Sequence, residues 1–505
     1  MLSASVLSFC IGFLSLSIEI LWVRLFGFAN YSLPQAFAFV LVFYLIGIAI
    51  GARIGKYFCE SKPLLWLLSG KILLIASFVC LVSPWLYVYS LSAFPLLGAA
   101  LLITITAALT AVIFPIAHHL GFIKPTVKPG RQISTVYVAN ILGATLGPLV
   151  TGAFLLDFFT TQQCYIIFAS LLYIVSLYCF ILQKKIRFSA YAVLGMVLFI
   201  SFFFWTNPHS LITKIADRSG QTLQVIENKS GIITLYEGGS GGDLVFGGNV
   251  YDGRTNLDPL LNTNGINRLL VLAALHEQPK RVLMIGLSIG TWLKIVTSFP
   301  GVEQIDVIEI NPAYLQAIQN YPRLAAGLLD ARVHLYIDDG RRWLRAHADN
   351  QYDLIIMNTT FYWRAYTSNL LSQNFLALIK QHMHANAILA FNTTGSPDAL
   401  KTAVSIFKNA YLYQNFVIAA DFDWRTRLYQ QRAIEKLAAL SLDGHLLFPF
   451  GSKPIIESFL RVPLSSLKTI QPMYEALGRQ LEIITDNNLI TEYKYGISLQ
   501  EINQH

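Results

Sequence analysis

Residues 281–316 read RVLMIGLSIGTWLKIVTSFPGVEQIDVIEINPAYLQ, and this stretch decides the fold of the C-terminal half. RVLMI is a short, unbroken apolar run, the pattern of a strand buried on both faces of a parallel sheet. Gly286 and Gly290 then permit a tight turn, and TWLKIV restarts as a helix. A strand, a glycine turn and a helix start together form a cradle that favours anionic or polar ligand groups. The next run, QIDVIEIN, predicts a second strand ending in Glu309. A carboxylate there suits bidentate hydrogen bonding to a ribose diol.

Working outward, VHLYIDDGRRWL predicts a third strand with Asp338 and Asp339 behind it. NQYDLIIMNTT predicts a fourth strand ending in Asn358, and AILAFNTTG a fifth. Upstream, QVIENKSGIITLYEGG and DLVFGGNV read as short strands with glycine turns, and INRLLVLAALHE as an apolar helix. The ordered set predicts a doubly wound, Rossmann-like α/β domain, preceded by short strands of a small β-domain, with ligand at the carboxyl ends of the strands.

The N-terminal half is of another kind. The chain has 505 residues, 54% hydrophobic and 13% charged, and the apolarity is concentrated in residues 1–205. A bilayer core takes about 20 apolar residues in a helix. Seven stretches qualify, roughly 2–28, 35–58, 63–88, 93–120, 133–156, 160–182 and 187–205. The predicted organisation is therefore a transmembrane helical bundle over 1–205, a β-rich subdomain over 206–262 and the α/β domain over 263–505. The first run lacks a basic leader and is too long for a signal peptide.

Positive charge sits in alternate loops: Arg53, Lys56 and Lys62, then Lys124, Lys128 and Arg131, then Lys184, Lys185 and Arg187. The positive-inside rule puts the N-terminus in the cytoplasm, so seven spans send the α/β domain outside. If the run 187–205 lies along the interface instead, the domain faces the cytoplasm. Inside the spans, Glu19 and Lys71 are intramembrane polar residues that call for a partner or a cavity, by packing or by transport. Arg24, near a span end, is expected to snorkel to the interface. Gly47, Gly51 and Gly55 have small-xxx-small spacing, a helix-packing signal.

The net charge of +8 carries no Lys/Arg stripe with interleaved aromatics, so nucleic acid is not an expected partner; the lipid bilayer is. The five cysteines all lie in the apolar half without metal-ligand spacing, and no metal site is expected. Nothing in the sequence excludes a homodimer.

The run VLMIGLSIGTWLKIV…VEQIDVIEINPAYLQ…DARVHLYIDDGRRWL…YDLIIMNTT resembles the spermidine synthases. With the apolar half in front and ITDNNLITEY near the C-terminus, the chain resembles the membrane-fused bacterial branch of that family. The resemblance implies a multi-pass protein of the bacterial inner membrane and a donor that is S-adenosylmethionine or its decarboxylated form. It implies an α/β domain of methyltransferase type and donor-binding roles for Gly286, Ser288, Gly290, Glu309 and Asp339. Within the glycine turn, Leu287, Ser288 and Ile289 depart from the family's glycine-rich run, and Ile289 stands at its acidic position.

The acceptor side departs further. An attacking amine must lose a proton, because an ammonium has no lone pair. The family takes that proton with an Asp-x-x-Asp motif after the fourth strand; here Asn358, Thr359, Thr360 and Phe361 stand there. The family's Tyr-His-Glu, upstream of the glycine strand, is replaced by NTNGINRLL. Asp486, Glu492 and Tyr493 are candidates to return acids to the site, with Asn358 at the catalytic position. Tyr362, Trp363 and Arg364 are candidates for an acceptor lid, with the guanidinium able to grip a carboxylate or phosphate; equally, the aromatics pack on the domain or dock at a bilayer surface.

Three functions follow: a membrane-anchored, diverged transferase with an altered acceptor site; a non-catalytic binding or regulatory domain on a membrane bundle; or a transporter-linked sensor. The small-molecule substrate is not specified by the sequence.

Overall fold

The computed structural model describes residues 1–122, 129–183 and 189–502. Lys124, Lys128, Lys184, Lys185 and Arg187 lie outside the described residues. The chain divides into two compact units: residues 1–219 with 227–232 and 499–505, and residues 220–226 with 233–498.

In the first unit, six helices among the described residues are long and apolar enough to cross a membrane: Leu2–Ala29, Pro34–Ser61, Leu65–Ser90, Pro95–Gly121, Gly130–Phe158 and Thr161–Leu182. The last apolar run is shorter. Ser189–Trp205 has 17 residues, and its Gly195–Trp205 part meets Ser210–Ala216 at a 57° bend, so a seventh span exists only if that bent pair is one crossing.

The unit is small inside and large outside, which is membrane packing rather than soluble packing. On Pro34–Ser61, Gly47, Gly51 and Gly55 are buried while Phe37, Leu45, Ile46 and Ile50 are exposed. A Cβ on any of those three glycines would collide with a backbone carbonyl of the helices over 95–121, at Thr104, Ala108 and Val112 in turn. These helices fit a protein embedded in a membrane.

Arg24 does not snorkel. Its side chain is buried, donating from Nε to Thr161 Oγ1 at 2.9 Å and from Nη2 to the Gly231 carbonyl at 3.2 Å, with Glu227 3.9 Å away. A guanidinium with a carboxylate and two further acceptors has no need of water. Lys71 is exposed on its helix, and Glu19 is half-buried with no hydrogen-bond or ion-pair partner among the described residues.

Apart from residues 227–232, which belong to the first unit, the second unit holds two sheets. The first has the strands β1 (Thr222–Asn228), β2 (Gly231–Tyr236), β3 (Leu244–Gly247) and β4 (Val250–Arg254), in that order. The second is built on β5 (Arg281–Ile285), β6 (Gln304–Glu309), β7 (Val333–Ile337), β8 (Tyr352–Met357), β9 (Met383–Asn392), β10 (Asn409–Tyr413) and β11 (Phe416–Ala420). Their order is β10-β11-β9-β8-β5-β6-β7, with a two-residue strand, Leu464–Ser465, on the β10 edge. β5 to β9 run parallel, and β10 and β11 form an antiparallel hairpin beside β9.

Val282 and Met284 face one core and Leu283 and Ile285 the other, so both sheet faces are covered. That is why these strands read as unbroken apolar runs. β5 pairs with β6 on one side and β8 on the other. The order reverses there, and a crevice opens where the chains leave β5 and β8 in opposite directions.

Candidate functional site

Two features sit at the carboxyl ends of the strands. The first is built by the glycine turn. Gly286 has φ +91°, and a Cβ there would lie 2.6 Å from the Asn358 carbonyl oxygen, so close approach of the β5 and β8 ends requires glycine. Ser288 also takes a left-handed φ of +50°, with its hydroxyl donating to the Asp252 carbonyl at 3.0 Å. That bond ties the turn to β4. Leu287 and Ile289 are buried apolar residues, so the turn is held by packing as well as by backbone.

Glu309 ends β6 directly beneath this turn. Its Oε2 accepts from the amides of Leu287 at 2.7 Å and Ser288 at 3.4 Å, and its Oε1 from Asn311 at 2.8 Å. Burial pushes the carboxyl up to about 7 against the pull of those amides, which favour the charged form. Beside it, Ile310 is 63% exposed and Ile337, at the end of β7, is 45% exposed. Asp339 follows as the N-cap of Gly340–Ala346, accepting from the Arg342 amide at 2.8 Å, while Asp338 pairs with the Arg342 guanidinium. The neighbouring ends of β6 and β7 thus carry two acids and two exposed isoleucines, an apolar shelf open to solvent.

The second feature is a cavity of about 480 Å³ at the ends of β5, β8 and β9, closed by β4 and by the β10–β11 turn. Asn358 and Ser288 line it; Glu309 and Asp339 do not. The Asn358 carboxamide has no hydrogen-bond partner among the described residues. Around it stand Asn264, Asn392 and Asn415, with Thr291, Thr360 and Thr394. Asn415 Nδ2 donates to Asn392 Oδ1 at 3.0 Å, linking the β10–β11 turn to the end of β9.

Two charged residues line the cavity: Asp252, unmarked by the sequence patterns above, and Arg268, which lies within NTNGINRLL without being singled out there. Asp252, on β4, accepts from the Tyr314 hydroxyl, and withdrawal from water holds its carboxyl above the usual range. Arg268 opens the helix Asn267–Leu275 and lies over the rings of Trp292 and Phe416, 5.2 and 5.0 Å from their centroids. Desolvation pushes it down to about 10, so it remains a cation at neutral pH.

The remaining candidates serve the frame. Asp486 is held by Arg341, at 2.8 and 2.9 Å, and by Ser372 Oγ at 2.6 Å. Glu492 accepts the amides of Tyr366 at 3.1 Å and Ser368 at 3.0 Å. Glu492 clamps the segment after β8 and Asp486 ties that segment, through Ser372, to Arg341 on Gly340–Ala346; neither acid lines the cavity, because these donors lie nearer than the site. Tyr493 is 57% exposed. Trp363 is buried and stacks on Phe361 with centroids 5.5 Å apart, Tyr362 packs on one sheet core, and Arg364 reaches Thr360 Oγ1 at 3.3 Å. Of that run only Phe361 lines the cavity. Among the described residues no group of three or more His, Cys, Asp or Glu side chains is placed to hold a metal.

Residues 270–433 match the spermine/spermidine synthase domain. A polyamine aminopropyltransferase of Agathobacter rectalis is 30% identical over 182 residues, covering 36% of this chain and 59% of that protein. One from Streptococcus pneumoniae is 34% identical over 125 residues, covering 25% of this chain and 43% of that protein. The chain thus spans less than two thirds of the length of these curated relatives. A crystal structure of spermidine synthase from Thermotoga maritima aligns with 51% of this chain and 88% of its own at a TM-score of 0.40 and 17% identity. The C-terminal unit carries a spermidine synthase-like domain.

Proposed function

We propose that this spermidine synthase-like domain is a membrane-anchored transferase that binds an adenosyl donor, S-adenosylmethionine or its decarboxylated form, and passes a carbon group to an acceptor in the neighbouring cavity. The observation that carries the reading is Glu309: a buried carboxylate beneath a glycine turn, with an uncovered shelf of Ile310 and Ile337 leading to Asp339. A ribose diol would donate to Glu309, the purine would lie on the isoleucines, and its exocyclic amine would donate to Asp339.

The chemistry would be a single displacement. The acceptor's lone pair attacks the donor's methylene carbon, the carbon–sulfur bond breaks with its electrons passing to sulfur, and the acceptor releases a proton. Asn358 cannot take that proton. Asp252, the cavity's carboxylate, is the group available, and its withdrawal from water raises its pKa and so makes it a stronger base than an exposed aspartate. The alternative is a non-catalytic binding domain, favoured by the carboxamides and hydroxyls of Asn358, Thr359 and Thr360 where a base would be expected.

An adenosyl donor is a cytosolic metabolite, so the reading also requires the domain on the cytoplasmic side. Six crossings from a cytoplasmic N-terminus would deliver it there. The shortness of Ser189–Trp205 and the bend after it favour that count over the seven that would put the domain outside.

The test is calorimetry on the full chain in detergent with 5′-methylthioadenosine, the thioether that aminopropyl transfer would leave. Micromolar binding by the wild type, weakened in Glu309→Ala, is the expected result; a wild type that binds no nucleoside overturns the reading. A reporter fused after His505 should give a cytoplasmic signal.

A further inference from the structure

The cavity beside the glycine turn contains a cation that no carboxylate among the described residues neutralises. Three of the five N–H groups of Arg268 have acceptors: Nε donates to the Gly265 carbonyl at 2.9 Å, Nη1 to Asn415 Oδ1 at 2.8 Å and Nη2 to the Asn264 carbonyl at 3.3 Å. All three acceptors are neutral. One N–H on each terminal nitrogen is left without a partner among the described residues, and a carboxylate accepts such a pair together. The rings of Trp292 and Phe416 lie beside the guanidinium, their centroids 5.2 and 5.0 Å from Cζ. A half-buried, partly desolvated charge without a counter-ion is costly, and an anionic ligand would offset that cost.

The rest of the cavity points the same way. Its only carboxylate is Asp252, which is engaged by the Tyr314 hydroxyl and bonded through its backbone to Ser288, at the glycine-turn side. Asn264, Asn358, Asn392 and Asn415 supply carboxamides, which orient a ligand by hydrogen bonds but cannot balance an ammonium. A polycation entering here would meet Arg268 with no matching set of anions. At about 480 Å³ the space is that of a small-metabolite site.

We infer that the acceptor is a small amine bearing a carboxylate at its far end, with that carboxylate received by Arg268, and not a polyamine. The inference rests on the transferase reading above and names the substrate class of the same site. The amine end would then lie toward Asp252 and the glycine turn.

A matched pair of probes tests it. 5-Aminopentanoate and 1,5-diaminopentane share a five-carbon chain and differ at one end, anion against cation. Each is titrated by calorimetry into the full chain in detergent, with and without saturating 5′-methylthioadenosine. The expected result is at least tenfold tighter binding of 5-aminopentanoate. Arg268→Gln should abolish that preference while leaving nucleoside affinity unchanged, and Arg268→Lys, which keeps the charge and loses the fork, should retain part of it. Equal or tighter binding of the diamine overturns the inference, as does a wild type that binds no 5-aminopentanoate, or an Arg268→Gln protein that keeps the preference. If Arg268→Gln fails to fold, the wild-type preference still decides. Nucleoside binding together with a diamine preference would leave the transferase reading intact and sink this one alone; loss of nucleoside binding would sink the transferase reading first.

Discussion

The two halves of the site, shelf and cavity, handle charge in opposite ways. On the shelf, Glu309 and Asp339 are acids that already accept backbone amides, and apolar side chains beside them stand open to solvent. In the cavity, carboxamides and hydroxyls surround one guanidinium, and the single carboxylate is turned to a phenol. The difference teaches which part of the proposed two-substrate site is tied to the fold. Glu309 is an acceptor for the glycine turn itself, so replacing it disturbs the backbone that makes the cradle. Asn358 and Arg268 hang from strand and helix ends, where exchange alters what is bound and leaves the sheet alone.

The sharpest way to break this contrast is Glu309→Ala. Two ribose hydroxyls donating to a carboxylate contribute roughly 1.5–3 kcal/mol each, so nucleoside affinity should fall on the order of a hundredfold or more. The melting temperature should fall too, because the amides of Leu287 and Asn311 lose their acceptor in a buried place. Calorimetry and a thermal melt read the two effects on one sample. A variant that melts lower but binds nucleoside normally would make Glu309 structural only.

Acidity gives the next effect in size. The Glu309 carboxyl is raised from an ordinary 4.5 to about 7, so below neutrality it increasingly carries a proton. A protonated carboxyl accepts poorly from a diol, and nucleoside affinity should drop about tenfold for each pH unit below 7. Stability moves the other way. The folded state holds this proton between 4.5 and about 7 while the unfolded chain has released it, so the Glu309 contribution to stability falls as pH rises through that window. Nucleoside affinity measured from pH 5.5 to 8 should rise to a plateau, and Glu309→Gln should flatten the curve.

Much of the shelf was legible in the sequence because its parts recur at the ends of successive strands. RVLMIG, QIDVIE and VHLYIDDG each announce a strand, and the turn glycines and acids follow by position. The membrane helices were legible for a similar reason, since a run of apolar residues long enough to cross has few other uses. The cavity was not. Asp252 comes from β4, Arg268 from a helix start, Asn392 from the end of β9 and Asn415 from a hairpin turn, and no spacing links positions so far apart. Asp486 and Glu492 misled for a physical reason: an acid near a site in sequence is drawn to the nearest guanidinium or open amide, and here Arg341 and the Tyr366 and Ser368 amides took them. Arg24 misled likewise, since its partner Glu227 lies about two hundred residues away.

Asn358→Asp asks whether the cavity is one substitution from its relatives' chemistry. A carboxylate at this position would draw an ammonium and partly offset Arg268. Diamine binding should improve several-fold and 5-aminopentanoate binding should weaken by a similar factor, since a surface-connected site sees an effective dielectric nearer 20 than 4. Full reversal of the preference is not expected, because the guanidinium stays in place. A variant in which neither affinity moves would mean that Asn358 faces neither end of the acceptor.

The smallest effect belongs to Asp339, where cap and ligand contact can be separated. As N-cap of Gly340–Ala346 its carboxylate accepts the Arg342 amide, and Asp339→Ala should cost about 1 kcal/mol of stability. Asparagine caps about as well as aspartate, so Asp339→Asn should melt within a degree or two of the wild type. It loses the charge that an exocyclic amine would prefer, and nucleoside affinity should fall a few-fold with no change in stability. The shelf stands open beside exposed Ile337, so water competes for this contact and keeps the effect well below that of Glu309. If Asp339→Asn binds nucleoside as tightly as the wild type while Asp339→Ala merely melts earlier, Asp339 is a helix cap and Glu309 alone marks the donor side.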